Sequence, residues 1–450
     1  MSTLVRRAYR FALDPTPTQA RDLERHAGAA RFAYNWALGA VKANLGQRAA
    51  ERSYGLSDEN LTPVLGWNLP ALRRAWNTTK GEVAPWWGEC SKEAFNTGLD
   101  GVARALKSWG ESKKGKRRGR KVGFPRFKAR RRVTPSVRFT TGTIRVESDR
   151  KHVTLPRLGR IKTHESTRKL VDRLERGTAR ILSATVRYEA GRWLCSFTCE
   201  VQHTEQAPIQ PDTTVDAVVG VDVGVTHLAV LSSPVPGVSD ADGFVTNPQH
   251  LRRAHRALRR ASRRVSRRRG PDRRTGARPS KRWEKANQRR NRVHHRVANL
   301  RRDGLHKLTT GLASRIGTVV VEDLNVAGML RNHRLARSIA DAGFGEIRRQ
   351  LSYKTSWRGG RLVVADRWFP SSKTCSSCRA VKLKLSLSTR IFRCQHCGLV
   401  LDRDLNAAIN LKHQVAQSGW ETQNGRGADQ KTKPSLAGGY ETFTPHRLAG

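Results

Sequence analysis

Apolar residues along this chain change their period several times, and each change predicts an element. In "AYRFAL" (8–13) they alternate with polar ones in the two-residue period of a strand. After Pro15 and Pro17 the period lengthens: Leu23, Ala27, Ala30, Phe32, Ala33, Trp36 and Ala37 recur at helical spacing, with Thr18 placed to cap the helix. Helical patterning continues through "LPALRRAWNTTKGEVAPWW" and "SKEAFNTGLDGVARALKSW". It stops at 112–132, "SKKGKRRGRKVGFPRFKARRR", a basic loop with Phe124 and Phe127 set among Lys and Arg, suited to phosphate contact and base stacking.

From about 133 to 203 the two-residue period returns. "SVRFTTGTIRVES", "HVTLPRLGRIKT" and "ILSATVRYEAGRWLCSFTCEV" read as strands joined by glycine turns, the last pair a hairpin around Gly191, together making a small β-barrel or sandwich. Trp193, Cys195, Phe197, Cys199 and Val201 fall on one face, so Cys195 and Cys199 read as core residues, as does Cys90. "VVGVDVGVTHLAVL" (218–231) is a Val-rich strand followed by a tight turn, yet Asp222 sits in its middle. An ionised carboxylate buried there costs several kcal/mol unless a cation compensates it. A second apolar run, "GTVVVEDLNV" (317–326), repeats the puzzle with Glu322, while alternation sends Asp323 to the other side.

Between these runs, 252–302 carries about twenty basic residues against two acids. Ala254, Leu258, Ala261 and Val265 form one helical stripe and Val293, Val297 and Leu300 another, which predicts two basic helices around a Gly-Pro break. Like charges this dense repel along a helix and need a polyanion to lie against. The whole chain agrees, with a formal net charge of +49 over 450 residues. No stretch approaches the ~18 apolar residues of a membrane span and the start lacks a signal-peptide core, which points to the cytoplasm. The seven cysteines are too clustered for a disulfide scaffold, in keeping with a reducing compartment.

The chemistry concentrates in two patterns. "LDRDLNAAINL" (401–411) starts a helix with Asp402 or Asp404 and packs through Ala407 and Ala408. With Asp222 and Glu322 that acid completes a trio able to hold two divalent ions, Mg²⁺ or Mn²⁺, about 4 Å apart, the arrangement that activates a water for phosphodiester cleavage. "CSSC" (375–378) and "CQHC" (394–397), separated by fifteen residues, have the spacing of a four-thiolate zinc ribbon. His396 lies within the second knuckle, but four thiolates already fill a structural site.

The segments "YRFALDPTPTQ", "ARFAYNWAL", "GVDVGV", "VVVEDLNV", "SIADAGFGEIRRQLSYKT", "DRWFPSSKTCSSC", "CQHCG" and "DRDLNAAINL" together resemble the TnpB family, RNA-guided nucleases of bacterial insertion sequences related to compact type V CRISPR effectors. The likeness runs from about residue 7 to 413. It implies a multidomain α+β protein with an RNase H-like RuvC nuclease domain, an inserted zinc ribbon, a β-barrel wedge domain and a helical recognition domain.

On this chain those would be a wedge strand and helix-turn-helix-like recognition region at 1–130 and the wedge barrel at 131–212, with the RuvC-like domain at 213–371. The ribbon would follow at 372–400, a final RuvC helix at 401–415 and a disordered tail at 416–450. It further implies Asp222, Glu322 and Asp404 as catalytic and Mg²⁺-binding residues, and Cys375, Cys378, Cys394 and Cys397 as ligands of a structural Zn²⁺. "SSCRA" lacks the glycine usual after the first knuckle, which should alter that turn without removing a ligand.

The implied partners are a guide RNA and double-stranded target DNA with a short flanking motif, no membrane, the protein acting as a monomer on its RNA. Two other functions fit the same residues: an RNA-guided or sequence-specific DNA-binding regulator with an inactive nuclease site, and a transposase performing strand transfer. The first would lack a site acid, and none is missing here.

Overall fold

The computed structural model describes residues 2–117, 119–130, 132–204, 217–272, 274–386 and 388–417. The disordered tail expected at 416–450 lies almost wholly outside them. The chain divides into two compact units, one holding 2–204, 248–317 and 326–360, the other 217–247, 318–325 and 361–417. No described helix is long and apolar enough to cross a membrane.

The first unit opens with β1 (Ser2–Asp14), longer than the alternating stretch predicts, and α1 (Pro17–Ser53). The cap of α1 is Thr16 rather than Thr18: its side chain accepts from Gln19 N while the Gln19 side chain accepts from Thr16 N, a reciprocal pair that places Pro17 in the first turn. α2 (Leu69–Val83) and α3 (Lys92–Lys113) follow as the periodicity predicts. Phe32, Trp36, Trp76 and Phe95 join α1, α2 and α3 through ring contacts of 5.0–6.2 Å.

Seven antiparallel strands complete this part: β1, β2 (Ser136–Phe139), β3 (Arg145–Val146), β4 (His152–Leu155), β5 (Gly159–Thr163), β6 (Ala179–Glu189) and β7 (Arg192–Thr204), in the order β2-β6-β7-β1-β5-β4-β3. Between β5 and β6 runs a short helix, α4 (Arg168–Glu175), which the two-residue reading of 133–203 did not foresee. β6 and β7 form the predicted hairpin, turning at Ala190 and Gly191. Trp193, Cys195, Phe197, Cys199 and Val201 are all buried, in one core with α1 and α3.

β8 (Val218–Asp222), β9 (His227–Leu231) and β10 (Phe244–Thr246) then begin the second unit. The two basic helices, α5 (His250–Ser266) and α6 (Lys281–Arg315), belong to the first unit and pack on each other across the Gly270-Pro271 break. Leu258, Val265 and Val297 are buried as the stripes predict, but Leu300 is 44% exposed. The buried stripe of α6 shifts instead to Leu305, Leu308 and Leu312, because an unbroken 35-residue helix drifts around its axis relative to a short heptad-like reading.

β11 (Thr318–Glu322) returns to the second unit, α7 (Val326–Met329), α8 (Ala336–Ala342) and α9 (Phe344–Trp357) to the first. Within 217–371 the helices cluster with one another in the first unit and the strands form their own sheet in the second.

That sheet, completed by β12 (Arg361–Ala365), has the order β10-β9-β8-β11-β12. β8 is flanked by antiparallel β9 on one side and parallel β11 on the other, and β12 is parallel to β11, the strand order of an RNase H-like fold. A hairpin of β13 (Ile391–Arg393) and β14 (Val400–Asp402) leads into α10 (Arg403–Gln417), which packs on β8.

Candidate functional site: a carboxylate centre beside a cysteine quartet

β8 is apolar because it is the central strand, with Val219, Gly220 and Val221 buried, and Asp222 stands at its carboxyl end. Gly220 is required by α10: a Cβ there would lie 2.0 Å from Ala408 O and 2.6 Å from Lys412 N. The small residues Ala407 and Ala408, both buried, give the matching face of the helix. This contact sets the first turn of α10 over the carboxyl end of β8. Glu322 ends β11, parallel to β8, on the same edge of the sheet.

Asp222 therefore feels the charges of the other two acids. Asp222 is held well above the usual carboxylate range, first by burial and then by the negative charges of Asp404 and Glu322, with Arg403 working in the opposite direction. Glu322 is also raised, by burial and by Asp323. Asp323 itself accepts from the Arg367 guanidinium, 2.7 Å away.

At the head of α10 the two candidate acids divide their tasks. Asp402 caps the helix, its Oδ1 accepting from Asp404 N at 2.8 Å and Leu405 N at 3.1 Å. Asp404 instead has its Oδ1 held by the Arg403 guanidinium (3.0 and 2.8 Å) and lies 3.9 Å from Arg390 through Oδ2.

The four cysteines converge more tightly. Their sulfurs lie within 4.8 Å of one another, and among the described residues they are the one group of three or more possible donors this close, so the carboxylates are spread more widely. Cys375 and Cys397 are 3.6 Å apart, as are Cys378 and Cys394. That is near the ~3.8 Å edge of a tetrahedron with Zn–S bonds of ~2.3 Å, and far from the ~2.05 Å of a disulfide. The Cys397 and His396 backbone N–H groups hold the Cys394 thiol down to about 6, and the Leu399 N–H lowers Cys397. The quartet has the donor set and spacing of a structural zinc site.

The first knuckle corrects one expectation. Arg379 does not alter the turn that a glycine usually makes. It adopts φ +66°, matching Gly398 at φ +71° in the second knuckle. A side chain in this left-handed region costs about 1 kcal/mol, offset by an Arg379 Nη1 hydrogen bond to Asn410 Oδ1 (3.2 Å). Asn410 is one of two functional positions that the sequence reading passed over. Asn406 and Asn410, both fully buried on α10, bind the backbone of the knuckle: Asn406 accepts from Ser376 N (2.9 Å) and donates to Thr374 O (2.7 Å), and Asn410 donates to Ser371 O (2.9 Å) and Thr374 O (2.7 Å). Their i,i+4 spacing in "NAAIN" was the available signal.

Comparison with known proteins gives this assembly its class. Three family models match: "Helix-turn-helix domain" over 1–49, "Probable transposase" over 196–333 and "Cas12f1-like, TNB domain" over 344–411. The first match covers β1 and most of α1, which runs as one unbroken helix, so the turn in its name is not within those residues here.

A Mycobacterium tuberculosis protein named "Putative RNA-guided DNA endonuclease" is 42% identical over 458 residues, covering 96% of this chain and 93% of its own. Proteins carrying that name in Streptomyces pristinaespiralis and, as InsQ, in Escherichia coli are 35% and 29% identical, over 91% and 94% of this chain. The chain belongs to the TnpB family. Solved structures it resembles include a Cas12f1–sgRNA–target DNA complex (TM-score 0.45, 12% identity, 91% of this chain and 99% of that one) and CasPhi-2 bound to crRNA (TM-score 0.37, 12% identity, 92% and 98%).

Proposed function

We propose that this chain is an RNA-guided DNA endonuclease of a transposable element that cleaves phosphodiester bonds with divalent metal ions. Asp222, Glu322 and Asp404 would be its catalytic residues and hold Mg²⁺ or Mn²⁺, and Cys375, Cys378, Cys394 and Cys397 would hold a structural Zn²⁺. The observation that carries this reading is the placement of Asp222 and Glu322 at the carboxyl ends of the parallel strands β8 and β11 with Asp404 on the first turn of α10, close enough that Asp404 and Glu322 raise the proton affinity of the buried Asp222. A desolvated surplus of hard oxygen donors is the chemistry that suits such cations. The names of the M. tuberculosis, S. pristinaespiralis and E. coli relatives support the same activity.

When bound, a pair of these ions would lower the pKa of a water and stabilise the leaving oxygen. The chain's own residues prepare the place. Asp402 fixes the first turn of α10 through its two amide bonds, so that Asp404 is presented at the sheet edge. Arg403 orients the Asp404 carboxylate and offsets part of the repulsion between the acids. Gly220 sets how closely α10 approaches β8.

The guide RNA would lie against the exposed arginines of α5 and α6 and the loop 112–132. Base pairing would read the target, and the protein a short flanking motif. Residues 1–130 and 131–212 would serve as recognition and wedge regions, 213–371 with 401–415 as the RuvC-like nuclease, and 372–400 as its ribbon. The setting would be the cytoplasm, with one protein per RNA and no membrane.

The test is purification with co-expressed element RNA, sequencing of that RNA, and cleavage of a supercoiled plasmid carrying the matching target and a randomised flank. Cutting that needs the guide and Mg²⁺ and selects a flank is the expected outcome. An inactive protein that still binds the guided target would favour the regulator, and guide-independent strand joining the transposase.

A further inference from the structure

Trp368 is 85% exposed, while its neighbour Phe369 packs into the core of Val320, Ala365 and Leu411. The turn that separates them is firmly held. Trp368 N donates to Asp366 Oδ1 (2.7 Å), Phe369 N to Asp366 O (3.2 Å) and Ser371 N to Phe369 O (2.8 Å). On the other flank Arg367 donates to Asp323 through both its Nη2 (2.7 Å, to the carboxylate) and its Nε (3.3 Å, to the carbonyl). A single exposed apolar residue needs no explanation. An indole presented by a rigid turn, beside a phenyl ring that the same turn buries, is a different case.

Its position says what it meets. Glu322 pairs with Ala365 in the β11–β12 ladder. Trp368 follows three residues later, which puts it within roughly 15 Å of that acid by strand spacing and chain length. It stands at the carboxyl ends of β11 and β12, the edge that carries Glu322 and Asp222.

We propose that Trp368 is a stacking platform for a base of the single DNA strand being cut, holding the nucleotide next to the scissile phosphate against the indole face. It is a positioning residue, and the inference rests on the nuclease reading. A flat indole accepts any base, as sequence-independent cleavage under a guide requires. Nearby cations suit the same polyanion, since Arg367 and Arg390 keep exposed side chains beside Asp323 and Asp404.

Two measurements on the guide-loaded complex test this. In the first, half-saturation and turnover are compared for a pre-unwound, single-stranded substrate. Trp368→Ala should raise half-saturation roughly 5- to 100-fold, the loss of one base–aromatic stack, with a smaller change in turnover, and Trp368→Tyr should restore most of it. In the second, 2-aminopurine is walked along the strand in complexes carrying Asp222→Asn. Quenching at one step should vanish on adding Trp368→Ala. Wild-type kinetics and unchanged quenching in Trp368→Ala, with an active wild type, overturn the stacking role and leave the nuclease intact. An inactive wild type that keeps Trp368-dependent quenching overturns the nuclease reading and leaves the stacking role.

Discussion

Cys375, Cys378, Cys394 and Cys397 come from two knuckles of one local segment, and backbone N–H groups lower the thiols of Cys394 and Cys397. Asp222, Glu322 and Asp404 come from two strands and a helix far apart in the chain, and burial with mutual repulsion raises Asp222. The first centre is closed by its own backbone, which lowers two of its thiols, while burial and the neighbouring sulfurs push Cys378 up to about 12. The second is assembled by the packing of the sheet end, and there burial and neighbouring negative charge raise Asp222 and Glu322. One helix serves both: α10 carries Asp404 on its first turn and binds the first knuckle through Asn406 and Asn410. A local centre can tolerate changes elsewhere in the sheet; an assembled one cannot.

The strongest way to break this contrast is to remove single donors from the assembled centre. Alanine at Asp222, Glu322 or Asp404 should lower guided cleavage by three or more orders of magnitude, with target binding changed only a few-fold. Asp402→Ala should lower cleavage far less than Asp404→Ala and cost about 1 kcal/mol in stability, the value of a helix cap. Full activity in Asp404→Ala would overturn the division of roles at the head of α10. Cleavage assays run beside filter binding give both readouts.

Next comes the packing beneath the acids. Gly220→Ala puts a methyl 2.0 Å from Ala408 O, a backbone atom that cannot move aside cheaply. The expected loss is about 3 kcal/mol or more, with cleavage abolished. One zinc per chain should remain by metal analysis, because the four thiols all come from the ribbon segment itself, while its affinity should fall only as far as the displaced α10 withdraws Asn406 and Asn410 from the first knuckle. If zinc is lost as well, the two centres are not separable in this way.

Asn406→Ala attacks the joint itself. It leaves Ser376 N without its partner, at about 1–3 kcal/mol for a buried group left unsatisfied, while Thr374 O keeps its bond from Asn410. Both zinc affinity, measured by chelator competition, and cleavage should fall together. A drop in one alone would mean that α10 does not couple the ribbon to the acids.

Much of this was legible in the sequence because local spacing carries it. The CxxC pairs, the helical stripes of α1 and α5 and the alternating face of β7 depend on neighbours along the chain, and the structure reproduces them. What the sequence reading missed depends on neighbours in space. Thr16 rather than Thr18 caps α1 because Gln19 reaches back to it. Arg379 takes a glycine conformation because Asn410 is there to receive it. Leu300 is exposed because α6 turns its stripe elsewhere. Asp222 and Glu322 were legible as anomalies, charges in apolar runs, whereas the cap made by Asp402 and the Arg403 contact of Asp404 depend on the hydrogen bonds of the helix start.

The smallest predicted effect is also the one that reads the contrast most directly, because the two centres should respond to pH with opposite signs. Asp222 holds its proton more tightly in the metal-free fold than in the unfolded chain, whose carboxyls titrate near ~3.9. Its contribution to stability is therefore fully present below about pH 4 and is lost as pH rises toward its folded value. Asp222→Asn keeps the neutral form throughout. Without divalent metal the variant should melt a few degrees above the wild type at pH 7 and level with it near pH 4, and Mg²⁺ should raise the wild type alone.

Cys394 runs the other way: its thiol, lowered to about 6, contributes above the ~8.5 of an unfolded cysteine and loses that contribution as pH falls through 6. Zinc affinity in both proteins should accordingly weaken below about pH 6, in step with Cys394 and indifferent to Asp222. Melting curves across pH 4–8, with and without Mg²⁺, measure the first slope, and chelator competition over the same range the second. Equal melting of wild type and Asp222→Asn at pH 7 in the absence of metal would mean that the carboxylates do not strain the fold, and that the assembled centre is as well satisfied without cations as the local one.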